Sequence, residues 1–425
     1  MKHTVFPNLG EERWFGRLAN GLRLCVVPKR GFARKYAFLA VDFGSIDTAF
    51  TLNGKRCVVP DGIAHYLEHK MFDLPEDNAM NLFAAHGGSP TAFTSYAMTA
   101  YYFSCTEEFE ENLRILLRMV ATPYFTPESV EKERGIIAQE IRMYEDSAES
   151  RVSEELFAAM FAHHPIRVPI AGTVESIGQI TAQMLCDCHA AFYRPDNMVL
   201  CVVGDVDVDA VAKMAEELPA AQTPLPVRDY GAEESMLPVK SHTLRAMSVS
   251  MPTFALGFRC SAPQRGMETM RRELIGELAA ELLVGESSPL YLRLYNDGLI
   301  DADFSAGYES VKDACLLSAG GDSRDPEAVL AAILEEAKRI AREGFDLRLF
   351  ERLKKSILGR RMRALDSFEN ICYRSCAYEF DGADYFRFPE VYAAVTPQDV
   401  REFLTQTVTP ERAALSVVCP KEENE

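Results

Sequence analysis

The chain has 425 residues, too many for one ordinary hydrophobic core, so two or more domains are expected. Hydrophobic residues at 48% and charged residues at 25% suit a soluble globular protein, and a net charge of -18 argues against nucleic acid as the main partner. No apolar run reaches the length of a membrane span, so no membrane association is expected, and Met1–Pro7 does not read as a secretory leader. The 11 cysteines are odd in number and scattered without a C-x-x-C, which points to reduced, mostly buried thiols in a cytoplasmic protein.

In chain order, Asn20-Gly21 is a hairpin signal leading into a strand over Leu22–Pro28, and a second strand over Tyr36–Phe43 ends at Gly44-Ser45. The stretch Asp61–Phe72 then reads as a helix carrying His65, Glu68 and His69 in the order H-x-x-E-H. Residues four apart on a helix share a face, so His65 and His69 send two imidazoles to one point and the Glu68 carboxylate borders it. Two imidazoles and a carboxylate suit a zinc ion that holds a water, and this reversed order of H-E-x-x-H occurs among zinc peptidases. The bland alternative is an amphipathic helix with two surface histidines.

Gly87-Gly88 breaks the chain before Thr91–Ser95 and an aromatic strand over Thr99–Ser104. Glu107–Ala121 has helical periodicity. Thr126 is an N-cap candidate with Pro127 at the first helical position, and the helix that follows is expected over Glu128–Asp146. Strand-like Met198–Val203 closes this half at Gly204-Asp205. Pro219–Lys240 is rich in Pro and Ala without a sustained period and reads as a linker, and the second half opens with a strand over Phe254–Cys260.

The halves read as copies. Thr181, Pro195 and Val202 recur 215 residues later as Thr396, Pro410 and Val417, each set reading as helix, proline turn and closing strand. Phe125 and Glu131 match Phe345 and Glu351 at an offset of 220. At the offset of 215, His65, Glu68 and His69 fall on Ala280, Leu283 and Val284, so metal chemistry belongs to the first half alone.

A catalytic zinc needs a third protein ligand. His86 beside Gly87-Gly88 reads as a turn residue, His163-His164-Pro165 as a loop, and His189 as a helix-face or core residue. Glu133 and Glu140 lie seven apart on the next helix, nearly two turns, and share a face with Ile136 and Ile137. Solvated surface glutamates are the ordinary alternative. Spacing leaves open which of the two faces a metal.

Gly62–His69 with Glu133-Arg134-Gly135-Ile136-Ile137-Ala138-Gln139-Glu140 some 70 residues on resembles the pitrilysin/insulysin family of zinc peptidases. It is most similar to the short bacterial members related to mitochondrial processing peptidase. Gly44–Asp47, Pro123–Thr126, His164-Pro165, Gly172-Thr173 and Tyr193–Met198 fit the same pattern. The resemblance implies an α+β fold of two duplicated half-domains, each an antiparallel sheet of about six strands with helices on one face. The expected spans are 1–218 for the zinc domain, 219–243 for the linker and 244–425 for the homologous domain without metal.

The resemblance also implies one zinc per chain on His65, His69 and Glu140, with Glu133 holding the ligands from behind and Glu68 as the general base. The substrate, a peptide or unfolded segment, would pair with the strand of Thr91, Ala92, Phe93 and Thr94. This chain departs from the family at two places. Thr91 stands where an Asn is usual, and Leu294 and Asp301, around Gly298-Leu299, stand where active relatives carry an Arg and a Tyr that hold the scissile carbonyl. Arg293, Tyr295 and Tyr308 are nearby at other spacings. A homologous partner in a heterodimer, or a homodimer, is therefore expected. The rival readings are a non-catalytic assembly subunit and a maturation peptidase for one peptide or protein.

Overall fold

The structure, a computed structural model, describes residues 1–421; the last four residues of the second expected domain lie outside them. In chain order the strands are β1 (Lys2–Phe6), β2 (Glu11–Arg17), β3 (Arg23–Pro28), β4 (Lys35–Val41), β5 (Ala49–Leu52), β6 (Lys55–Val58), β7 (Ser89–Thr94) and β8 (Thr99–Cys105). There follow β9 (Met198–Gly204), β10 (Val227–Arg228), β11 (His242–Met247), β12 (Thr253–Cys260), β13 (Ser305–Val311), β14 (Ala314–Asp322) and β15 (Ala413–Pro420). They build a seven-stranded sheet in the order β1-β2-β3-β9-β4-β8-β7, a five-stranded sheet in the order β11-β15-β12-β14-β13, and a small sheet β10-β5-β6.

The two large sheets share one plan, and the α+β expectation holds. The order β3-β9-β4-β8-β7 matches β11-β15-β12-β14-β13 strand for strand. In both, the first pair is parallel and the rest are antiparallel. Seven and five strands replace about six apiece because the N-terminal hairpin β1–β2 extends the first sheet. The repeat in the sequence is the same detail in space. Thr181 and Thr396 each cap a helix, Ala182–Phe192 and Pro397–Thr407, and each helix runs through a proline turn into its closing strand. Thr126 and Asp346, 220 apart, likewise cap the helices Pro127–Glu145 and Leu347–Arg363.

Each large sheet is buried on both faces. β9 reads Met-Val-Leu-Cys-Val-Val-Gly and is buried at all seven positions, the pattern of a strand covered from both sides rather than an alternating one. Leu24, Val26, Leu39, Tyr101 and Leu200 of the first sheet pack on helices of their own half. Its other face, with Cys25, Phe38 and Cys201, meets Ile371, Cys372 and Cys376 of the helix Phe368–Phe380 from the second half. The second sheet is covered reciprocally. Leu316 and Ala414 meet Leu156, Phe157 and Met160 of the helix Ala148–Met160 from the first half. Gly257 of β12 allows that approach, since a Cβ there would sit 2.7 Å from Met160 Cε. The halves thus exchange one helix each.

The segment expected as a linker folds back on the first half. Val227–Arg228 adds to β5, and the Glu234 carboxylate accepts backbone N–H groups of Ala162, His163 and His164. β11 starts at His242, ahead of the strand with which the second half was expected to open.

Candidate metal centre

The motif helix is Ile63–Lys70. It starts at Gly62, whose φ of 87° is open to glycine at little cost, and whose absent Cβ would lie 2.4 Å from the Ala171 carbonyl oxygen. The loop Pro169–Thr173 can therefore sit directly on the helix start. Ile63, Ala64, Tyr66 and Leu67 point into the first core. The helix Pro127–Glu145 lies alongside with Val130, Ile137 and Ile141 as its buried seam. The Tyr66 hydroxyl donates to the Val130 carbonyl, and the buried Lys70 ammonium is held by Asp73 and the Ser129 carbonyl. Ile136, expected on the inward face, is 47% exposed: one position before Ile137 it turns about 100° round the helix, away from the seam.

These two helices bring His65, His69 and Glu140 together. One donor atom from each lies within 4.8 Å of the other two. Glu140 Oε1 is 3.7 Å from His65 Nε2, and Oε2 is 3.5 Å from His69 Nε2. Glu133 stands on the far side of His69, its Oε1 3.0 Å from Nδ1. Of the two glutamates left open by their spacing, Glu140 faces both imidazoles and Glu133 backs one of them. With its Nδ1–H donated to Glu133, His69 presents its Nε2 lone pair to the cluster.

Burial and the neighbouring His69 depress the His65 pKa to about 4, against the pull of Glu140 and Glu133, so its imidazole is neutral at physiological pH. Burial also works to lower His69, but the hydrogen bond to Glu133 and the charges of Glu68, Glu133 and Glu140 raise it overall. Two imidazole lone pairs and a carboxylate converging on one point repel one another unless a cation lies between them. This donor set, with no Lys or Arg among it, fits zinc.

Glu68 borders the cluster without joining it. It is buried, and Thr94 Oγ1–H donates to its Oε2 at 2.7 Å. Burial raises its pKa, with the Thr94 hydrogen bond acting against the rise. Thr94 ends β7, the last strand of the seven-stranded sheet, so β7 has one unpaired edge. A cavity of about 540 Å³ opens on the cluster, walled by Ala92, Phe93 and Thr94 of β7, by Tyr144 and Arg151, and by the loop Pro169–Thr173. Thr91 is not brought into it: the residue is exposed and its hydroxyl donates to the Pro90 carbonyl. The sequence reading missed two polar contacts here. Thr94 reaches Glu68 from 26 residues away, which no local pattern encodes. The Tyr144 hydroxyl donates to Glu140 Oε1 at 2.9 Å from four residues on along the same helix, a spacing that was legible.

The remaining histidines of interest lie elsewhere. His86 pairs with Glu108, His164 is buried against Asp313, and His189 is buried on the Val120 carbonyl. In the second half Ala280, Leu283 and Val284 are buried on the helix Met267–Val284. Every residue walling the metal-centre cavity lies between His65 and Thr173, so Arg293, Tyr295 and Tyr308 do not reach it. No helix among the described residues is long and apolar enough to cross a membrane.

Two family profiles match the chain in succession: insulinase (peptidase family M16) over residues 58–174, and the peptidase M16 inactive domain over 179–357. The first covers the cluster, and the second runs from the end of the first half through Ala280, Leu283 and Val284, which stand in the cluster's place. A Bacillus subtilis protein named as an uncharacterised zinc protease, YmfH, is 35% identical over 99% of this chain and all of its own length. The crystal structure of an M16-like peptidase from Alicyclobacillus acidocaldarius superposes with a TM-score of 0.94 at 34% identity, covering 98% of this chain and 100% of that one. Pitrilysin shares the fold at 20% identity and a TM-score of 0.76, with 97% of this chain covering 45% of the longer protein. With full-length relatives at this identity and the inverted motif folded into a single donor cluster, the chain belongs to the insulinase family, peptidase family M16.

Proposed function

We propose that this protein is a zinc metalloendopeptidase that cleaves peptides or unfolded protein segments, with His65, His69 and Glu140 holding one zinc and Glu68 acting as general base. The observation that carries the reading is the convergence of those three donors within 4.8 Å at the floor of an open cavity. Zinc in such a site supplies a Lewis acid and lowers the pKa of a bound water to about 7. The Glu68 carboxylate takes the proton of the attacking water and passes it to the leaving amine, and Thr94 holds that carboxylate in place. Glu133 fixes the tautomer and ring plane of His69. The free edge of β7, over Thr91–Thr94, receives the substrate backbone as an added strand, which favours broad sequence specificity.

In this reading the catalytic unit is residues 1–218 with its linker to 243, and residues 244–425 form the non-metal half. A homologous partner chain completes the site, because no arginine or tyrosine of the second half enters the cavity. The 11 free cysteines favour a reducing, cytoplasmic setting. Metal analysis tests the core of the reading. The purified chain should carry about one zinc, lost in His65→Ala and in His69→Ala, and peptide cleavage should follow the metal. Full zinc occupancy in both variants overturns it.

A further inference from the structure

The metal-centre cavity contains one phenol in contact with a member of the donor cluster, and the proposed mechanism gives it no task. Tyr144 lies four residues beyond Glu140 and eleven beyond Glu133 on the helix Pro127–Glu145. These spacings put all three on neighbouring positions of one helical face. The Tyr144 hydroxyl donates to Glu140 Oε1 at 2.9 Å. His65 Nε2 lies 3.7 Å from that same oxygen, and Glu140 Oε2 lies 3.5 Å from His69 Nε2.

The three donors are supported unequally from behind. His69 is backed by Glu133 at 3.0 Å, and Glu140 by Tyr144. His65 Nδ1 is buried with no hydrogen-bond partner. A glutamate side chain has three rotatable bonds, and its carboxylate turns freely unless something holds one oxygen. Glu140 comes from a different helix from the histidine pair, so the motif helix alone does not orient it.

We infer that Tyr144 is a positioning residue for Glu140: its phenol anchors Oε1 so that the carboxylate meets the two imidazoles already oriented. One helix then supplies the backing of one ligand at Glu133, the third ligand at Glu140 and the anchor of that ligand at Tyr144. The inference rests on the zinc reading given above.

The experiment compares wild type, Tyr144→Phe and Glu140→Gln by zinc titration against a competing chelator, with melting of the metal-free chains and visible spectra of the cobalt(II)-substituted proteins. Tyr144→Phe removes one hydroxyl and keeps the ring. It should weaken zinc binding by ~10- to 100-fold, as loss of an outer hydrogen bond to a ligand does, leave metal-free melting unchanged, and shift the cobalt spectrum because Glu140 is re-oriented. Zinc affinity and a cobalt spectrum equal to wild type overturn the inference while leaving the metal reading intact. A weaker affinity matched by a fall in metal-free melting also overturns it, since the phenol would then be packing rather than positioning. If wild type itself binds no zinc, the metal reading fails and this inference fails with it. That outcome is told apart from the others because it is seen before any Tyr144 variant is made.

Discussion

Glu68 and Glu140 face the same cavity with different partners, and the difference predicts different losses. Glu140 faces two imidazoles, whereas Glu68 is held by the Thr94 hydroxyl beside them. Glu68→Gln keeps the shape but cannot take a proton, so zinc should stay and peptide cleavage should vanish; Glu140→Gln should weaken zinc itself. Metal content and cleavage measured on both variants separate the roles, and an emptied site in Glu68→Gln with a full one in Glu140→Gln reverses them. Thr94 offers a finer check. Thr94→Val removes the only side-chain donor to Glu68 among the described residues and should lower kcat by ~10-fold with KM and zinc content little changed, while Thr94→Ser restores the rate. A Val variant at full rate removes Thr94 from the site. At this scale the His65–His69 pair was legible because helical spacing alone sets its face, whereas spacing left Glu133 and Glu140 open and only the resemblance assigned their roles. Ile136 was misplaced because a face 100° away is only one residue off. Thr94 was hidden because its contact depends on how a strand and a helix distant in the chain are brought together.

At the scale of elements, the helix Ala148–Met160 ties the site to the second sheet. Its Arg151 and Glu154 line the metal-centre cavity, while Leu156 and Met160 pack under β12 and β15 of the other half. Met160→Ala removes a fully buried side chain seated on Gly257 and should cost about 2–5 kcal/mol of stability. Urea unfolding reads this as a lower midpoint at unchanged slope. Zinc content should hold, since no ligand lies on this helix, and a loss below about 1 kcal/mol would mean that the sheet face closes without it. Caps and periodicity located Thr126, Thr181 and the helices that follow them. β1, β2, β5, β6, β10, β11 and β13 went unread, since strands with polar, half-exposed positions declare themselves only through their partners, and the more buried β14 was missed with its hairpin partner β13. The closing strands β9 and β15 were legible because the same threonine and proline spacing leads into both.

For the whole molecule, the sequence announced two halves but not their exchange of helices, because which element covers the second face of a sheet is settled by packing between segments far apart in the chain. That exchange gives two doubly covered sheets, yet the metal-centre cavity is walled by the first half alone. The positions expected to hold the scissile carbonyl are Leu294, which is buried, and Asp301, while Tyr308 is packed over Gly276 in the second half. Removing one donor from the place where an oxyanion develops costs ~100- to 1000-fold in rate. The isolated chain should therefore cleave peptides slowly. Adding a homologous chain that lacks the zinc ligands but carries the Arg and Tyr should raise cleavage by ~100-fold or more, and mutating that Arg or Tyr should abolish the gain without changing the zinc content of this chain. Full cleavage by the isolated chain, measured where light scattering shows a monomer, refutes the need for a partner and leaves the carbonyl to groups already in the cavity.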